Sequence, residues 1–161
     1  MTKNTNPLGQ YYRQPQIYIK LPSGGRYYPK EVFTPTETGE IPILPMTAKD
    51  EMAFKTPDAM INGQSTVDVI KSCVPNLLDP WKMVNYDTDA VLLAIRIATY
   101  GETMDITFRV PGTEEDQQHS MNLPALLEDL GKLKIADSTT TSKGFKVDIQ
   151  PLDYKTLTKI Q

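Results

Sequence analysis

One cysteine and one histidine stand in 161 residues, and each scarcity closes off a class of chemistry. A lone Cys73 cannot form an internal disulfide, so no cross-link staples the fold, as befits a reducing compartment. Its neighbours Val69, Ile70 and Val74 mark it as a buried small apolar residue. No histidine or basic pair stands beside it to lower its pKa. One cysteine with one histidine is too few for the usual structural zinc sites. His119 sits in a polar stretch beside Gln117, Gln118 and Ser120, where an exposed surface histidine is expected, not the base of a nucleophile pair. Basic charge is short as well: 17 Lys and Arg against 20 Asp and Glu leave a net charge of -3. No basic stripe offsets this, which excludes nucleic acid as a general partner. Long apolar runs are missing. The longest, Ala90 to Ile95, falls far below the roughly 18 residues a membrane helix needs. The polar start from Met1 to Gln10 lacks the apolar stretch of a secretory signal. A soluble, non-exported chain is expected, with no membrane partner.

What the chain does have is proline, 13 residues of it, dispersed instead of gathered in one linker. Dispersed proline means short elements and stiff connections, as in a protein that displays loops and arms to neighbours. Residues 1–16, with Asn4, Asn6, Pro7, Gly9, Gln10, Gln14, Pro15 and Gln16, are poor in core formers and form an N-terminal arm carrying Tyr11 and Tyr12. Residues 17–161 form a single α+β domain. In its extended first part, 17–46, the alternating and β-branched Ile17–Leu21 is a strand. Pro22-Ser23-Gly24-Gly25 turns the chain, and Glu40–Met46, with two prolines that cannot donate to a ladder, is an edge strand or an extended packing segment.

A helical core follows at 47–101. Thr47 with Asp50 or Glu51 resembles a capping box for a helix over Ala48–Lys55. Thr56-Pro57-Asp58 starts a second helix that Gly63 closes, with Pro57 where a missing N–H costs nothing. Ser65 or Thr66 caps a third that Pro75 ends. Short helices are marginal alone and must pack on something larger. The candidate is the helix from about Asp87 to Tyr100, with Asp87 as N-cap and Gly101 just past its end. Ala, Val, Leu and Ile take nearly every face of it, which marks a buried central helix. Arg96 is its exception: it reaches the surface, pairs with Asp58, Asp68 or Asp89, or meets a partner.

Residues 102–161 change character. Met104–Val110 and His119–Leu123 make a hairpin across the polar turn Pro111–Asp116, and Pro124–Leu130 is a brief helix ended by Gly131. Asp137–Gly144 is a flexible loop, and Phe145–Leu152 is a final strand. The whole is a small helical core around one buried helix, flanked by short antiparallel β-hairpins and extended proline-rich arms.

For catalysis there is little. The carboxylate pairs Asp50-Glu51 and Asp87 with Asp89 fall at helix starts, where acids complement the dipole, and Glu114-Glu115-Asp116 falls in a turn. The glycine pair in Pro22–Arg26 is not followed by Gly-Lys-Ser/Thr, so it is a tight turn and not a phosphate loop. No catalytic residue, cofactor, metal or small-molecule substrate is expected.

Several ordered blocks are familiar together. Leu21-Pro22-Ser23-Gly24-Gly25-Arg26-Tyr27-Tyr28-Pro29, Ile41-Pro42-Ile43-Leu44-Pro45-Met46-Thr47-Ala48-Lys49-Asp50-Glu51, Lys55–Gly63, Val69–Pro75 and Leu93–Gly101 resemble the baseplate hub protein family of T-even-type contractile-tailed bacteriophages. The resemblance covers about Ile17 to Val110 and returns near Phe145 to Tyr154. It implies a non-enzymatic hub subunit or hub assembly factor, located in the virion tail baseplate and assembled in the host cytoplasm. Its partners would be other phage baseplate hub and tail proteins. Relatives carry a Cys-Pro-x-Cys pair after the long helix, indicative of a small zinc knuckle; here that place reads Arg109-Val110-Pro111-Gly112-Thr113, and no metal is carried over. A transient assembly chaperone absent from the virion is one alternative. A peptidoglycan hydrolase using Asp50, Glu51 or Asp87 is another. The candidate partner-binding residues are Tyr11, Tyr12, Tyr18, Arg26, Tyr27, Tyr28 and Arg96, since tyrosine and arginine suit interface cores; ordinary strand packing is the other reading of the tyrosines.

Overall fold

The computed structural model describes residues 12–29, 31–55, 63–112, 115–133 and 136–160. Three two-stranded antiparallel sheets and five α-helices make up the described fold, an α+β mixture. In chain order they are β1 (Ile17–Ile19), β2 (Ile41–Ile43), α1 (Ala48–Phe54), α2 (Gln64–Cys73), α3 (Asn85–Tyr100), β3 (Thr103–Arg109), β4 (Asp116–Asn122), α4 (Leu123–Gly131), β5 (Ser138–Thr140), β6 (Lys146–Asp148) and α5 (Tyr154–Ile160). The helix expected from Thr56 lies outside the described residues.

The central helix is where the apolar pattern places it. Ala90, Val91, Ala94, Ile95 and Ile97 of α3 are buried. Val91, Ala94 and Ile95 join Ile19, Ile41 and Ile43 of the first sheet and Val69, Ile70 and Cys73 of α2 in one cluster. Each large apolar side chain buried there contributes about 1.5–3 kcal/mol, so α3 is held by packing more than by helix propensity. The face is not apolar all round: Asp89 and Tyr100 are exposed.

Its start differs from expectation. Asp87 is not the N-cap; the helix opens at Asn85, and Val84, which has no capping side chain, takes that position. The orphan N–H groups of a helix start must still find acceptors, and distant segments supply them. Val84 N–H donates to the Tyr28 hydroxyl at 3.2 Å, and Asn85 N–H donates to the Leu152 carbonyl at 3.1 Å. Tertiary structure has replaced the local cap, which is why no capping residue marks the position.

The capping box at α1 is present, with Thr47 as N-cap and Asp50, not Glu51, at its third position. At α2 neither Ser65 nor Thr66 caps; the N-cap is Gly63, in the left-handed region at φ 73°. A Cβ on Gly63 would meet Thr158 Cγ2 at 2.9 Å and the Tyr154 ring at 3.2 Å. Those contacts belong to α5, a helix the sequence reading did not anticipate. Asp153 caps it through the Thr156 N–H at 2.7 Å, and Tyr154 stacks on Trp81 with ring centroids 5.8 Å apart.

The hairpin β3–β4 forms in the register Thr103↔Asn122 to Arg109↔Asp116. Asn122 caps α4 by accepting the Ala125 N–H at 2.9 Å, and Gly131 is that helix's last residue. The loop expected at Asp137–Gly144 is partly a strand. Ser138-Thr139-Thr140 pairs antiparallel with Lys146–Asp148, because threonine is β-branched and fits a pleated strand despite its polarity. The final strand is shorter than Phe145–Leu152 for the same reason that α3 needs an acceptor: Leu152 leaves the hairpin to meet Asn85.

Gly63→Ala combines a forbidden backbone region with a collision against α5. It should lower the unfolding free energy by about 1–3 kcal/mol in urea titration and shift the fluorescence of Trp81, the single tryptophan. Gly24→Ala, whose Cβ would meet nothing within 4 Å, should leave Trp81 emission unchanged.

Candidate partner-binding surface

Arg26, Tyr27 and Tyr28 of the expected interface set lie on one turn, and that turn is built around Asp87. Ser23 N–H donates to Asp87 Oδ1 at 2.8 Å, the Ser23 hydroxyl donates to Oδ2, and the Tyr28 hydroxyl donates to Oδ2 at 2.6 Å. The carboxylate is fully buried, and no cation among the described residues pairs with it. Burial pushes its pKa above the usual carboxylate range, against the hydrogen bonds from Ser23 and Tyr28. The same burial, with Asp87 adjacent, raises the Tyr28 hydroxyl. Tyr28 therefore spends its polar group inside the fold.

Arg26 and Tyr27 point the other way, toward the third hairpin. Arg26 Nη1 pairs with Asp137 Oδ2 at 3.2 Å and the Tyr27 hydroxyl donates to Asp137 Oδ1. The guanidinium also lies 5.5 Å from the Tyr27 ring centroid. Together they moor the base of the β5–β6 hairpin to the glycine turn, through an exposed pair worth at most about 1 kcal/mol.

A second polar network, anchored by a residue the sequence reading passed over, fixes the end of the N-terminal arm. Arg13 donates to the Pro45 carbonyl at 2.8 Å, to the Ser72 carbonyl at 2.7 Å and to the Ser72 hydroxyl at 3.0 Å, and pairs with Asp50 Oδ2 at 3.4 Å. Burial alone would raise Asp50, but bonds from Thr47 and Ser72 and the Arg13 charge hold it below the usual carboxylate range. Burial, with Asp50 nearby, pushes the Cys73 thiol up to about 11, which keeps it protonated and inert.

The remaining expected residues are scattered. Tyr11 lies outside the described residues. Tyr12 is exposed. Arg96 makes no ion pair with Asp68 or Asp89; its guanidinium lies 4.5 Å from the Tyr100 ring centroid, and Asp58 is outside the described residues. Tyr18, in mid-strand, is 62% exposed. Opposite it stands Pro42, which cannot donate, so this is a non-hydrogen-bonded pair and the Tyr18 N–H and C=O face the outer side of β1, left open by the strands among the described residues. That open edge borders a groove of about 450 Å³ lined by Ile17, Tyr18, Ile19, Ile97, Pro124 and Leu127, among others. No helix among the described residues is long and apolar enough to cross a membrane. No group of three or more metal-ligating side chains comes together among them either.

The family described as T4 bacteriophage base plate protein matches residues 14–159. The chain belongs to that family. The match takes in the stretch between Val110 and Phe145, which the resemblance read from the sequence had left out, and the unanticipated helix α5. No curated protein and no solved structure matches the chain. A baseplate protein is thus built here around two inward-facing polar knots, at Asp87 and Asp50, with Tyr12 and Tyr18 on its outside.

The two buried acids act on stability with opposite sign. Asp87 binds its proton more tightly folded than unfolded, so its contribution is full below the unfolded value near pH 3.9 and declines as pH rises toward the higher folded value. Asp50 binds its proton less tightly folded, so its contribution is present above about pH 3.9 and is lost as pH falls through the lower folded value. Urea midpoints taken from about pH 3 to pH 7 should lose the fall on the rising side in Asp87→Asn and the acid loss in Asp50→Asn. Asp87→Ala, which strands three buried donors, should cost about 2–4 kcal/mol at neutral pH.

Proposed function

We propose that this baseplate protein is a non-enzymatic hub component that works by protein–protein contacts while the tail baseplate is built. The observation that carries this reading is the exposed Tyr18 on a strand edge beside a mainly apolar groove that Lys20, Glu102 and Glu128 also line. An unpaired edge offers main-chain hydrogen bonds to an extended segment, an adjacent aromatic supplies an anchor, and the groove takes alternate side chains. The partners are other proteins of the phage baseplate hub and tail.

The state of the acids supports a role without catalysis. A hydrolase needs a carboxylate that meets substrate with a tuned pKa. Asp87 is sealed under Ser23 and Tyr28, Asp50 is tied to Thr47, Ser72 and Arg13, and Glu51 lies beside the Tyr100 hydroxyl. His119 is exposed on β4, opposite Ile106.

The test removes the anchors and keeps the fold. A Tyr12→Ser, Tyr18→Ser double variant should unfold at the wild-type urea midpoint within about 0.5 kcal/mol yet lose co-purification with the other baseplate proteins from infected cells. Undiminished co-purification would overturn the assignment of this surface. Stoichiometric recovery in purified virions would make the protein a permanent subunit, and absence from them a transient assembly chaperone. Clearing of peptidoglycan in a zymogram, abolished by Glu51→Gln, would overturn the non-enzymatic reading.

A further inference from the structure

Every residue of β5 and β6 is exposed, and the apolar residues of β6 and its flanks fall on one face. Phe145, Val147 and Ile149 alternate with Lys146 and Asp148, so the three share a side of the strand, and they are 67%, 42% and 42% exposed. Two strands of three residues are too small to be stable unaided in water. Because the sheet has only two strands among the described residues, both of its outer edges are open, that of β5 and that of β6.

The hydrogen bonds identify which groups the β6 edge offers. Thr141 N–H donates to the Phe145 carbonyl at 2.9 Å, and Ile149 N–H donates to the Asp137 carbonyl at 2.8 Å, so Phe145, Val147 and Ile149 direct their main-chain groups at β5. By alternation, Lys146 and Asp148 direct theirs at the open edge.

We infer that the open edge of β6 pairs antiparallel with β6 of a second copy of this chain, about a two-fold axis at Val147. Three features meet in that register. Lys146 of each copy lies opposite Asp148 of the other in a hydrogen-bonded pair, using the four main-chain donors and acceptors that face outward. Val147 meets Val147 in a non-hydrogen-bonded pair, where side chains approach most closely. Phe145 meets Ile149 on the same face, which joins two small apolar patches into one. The charges also set the register. A two-residue slip in one direction puts Lys146 opposite Lys146, in the other Asp148 opposite Asp148, and like charges directly opposite destabilise a pair. A one-residue slip sends the apolar set to the wrong face. A lysine alone would blunt the edge against any strand; a lysine and an aspartate placed evenly about Val147 are complementary to their own reversed copy. Within one copy the two groups are 3.9 Å apart and both largely exposed, so they are free to share a four-charge array. The interface is small, and the dimer is correspondingly weak and concentration-dependent. This inference does not rest on the hub assignment, since it uses a different surface and a different partner.

Sedimentation equilibrium of the full chain tests it. The wild type should show a monomer–dimer equilibrium. Asp148→Lys should raise the dissociation constant about tenfold by setting lysine against lysine, and the swapped pair Lys146→Asp, Asp148→Lys should restore it to within about twofold. The restored variant separates lost pairing from lost folding. Under mild oxidation Val147→Cys should give a disulfide-linked dimer on a non-reducing gel, whereas Lys146→Cys, whose mate lies opposite position 148, should not. A wild type that stays monomeric would overturn the inference. So would a dimer indifferent to the charge swap and uncrosslinked at position 147, which would place self-association elsewhere.

Discussion

The buried carboxylate of Asp87 is the constraint on which the rest of the fold depends. It closes the glycine turn through Ser23, fixes Tyr28 against the start of α3, and through the Tyr28 hydroxyl satisfies the Val84 N–H. From there the chain is tied to its far end, because Asn85 N–H is met by Leu152 and Tyr154 N–H by the Met83 carbonyl at 2.7 Å. Two segments distant from it in sequence thus converge on the first turn of one helix. The helix dipole favours the negative charge there by about 0.3–1 kcal/mol, and each hydrogen bond to a charged group contributes about 1.5–3 kcal/mol. Burial still raises the carboxyl's pKa, so the cost of leaving water outweighs these gains in the charged form. The group is kept for geometry: it sets where the glycine turn and the helix meet, which an apolar contact would leave free to slide.

Asp50 performs the corresponding task at the other side of the core with a different balance. It is less deeply enclosed, has a guanidinium beside it, and its ionised form is the favoured one. Arg13 bridges α1, α2 and the Pro45 carbonyl, so the arm read over residues 1–16 is tied to the domain at Arg13. Tyr12 immediately precedes that anchor and stands exposed. An aromatic on a fixed stem loses little freedom on binding, the general route by which preorganisation favours association.

How far the sequence foretells this structure depends on whether the signal is local. The apolar run of α3, the capping box at Thr47, the alternation in β3 and the strand at Pro42 are local patterns, and all four elements are present. The α3 start was misassigned because Asp87 looks like a cap from its neighbours alone, whereas its partners Ser23 and Tyr28 lie some sixty residues away. The Gly63 cap depends on α5, also remote. α5 itself carried a legible sign in Asp153, but seven residues give too little periodicity to separate a helix from a tail. Among the proposed interface residues, composition could not tell Tyr28, whose hydroxyl bonds inside the fold, from Tyr18, which is exposed. The difference lies in what each hydroxyl can reach.

The division of labour between core and periphery follows from these magnitudes. The apolar cluster around α3 buries its side chains almost completely, while the hairpin at β5–β6 is moored only by Arg26 and Tyr27 to Asp137 and by its continuation into Leu152. A surface ion pair cannot compensate three exposed apolar side chains and two unpaired strand edges. Selection for the isolated domain would shorten such a hairpin or make it polar. Its retention with an apolar face and a charge pattern complementary to itself is understandable if the hairpin's stable state is an assembled one. The same logic applies to Tyr18 and the groove beside it, where no strand among the described residues meets the outer edge of β1 and the Tyr18 ring is exposed, while Ile17 and Ile19 pack toward the core.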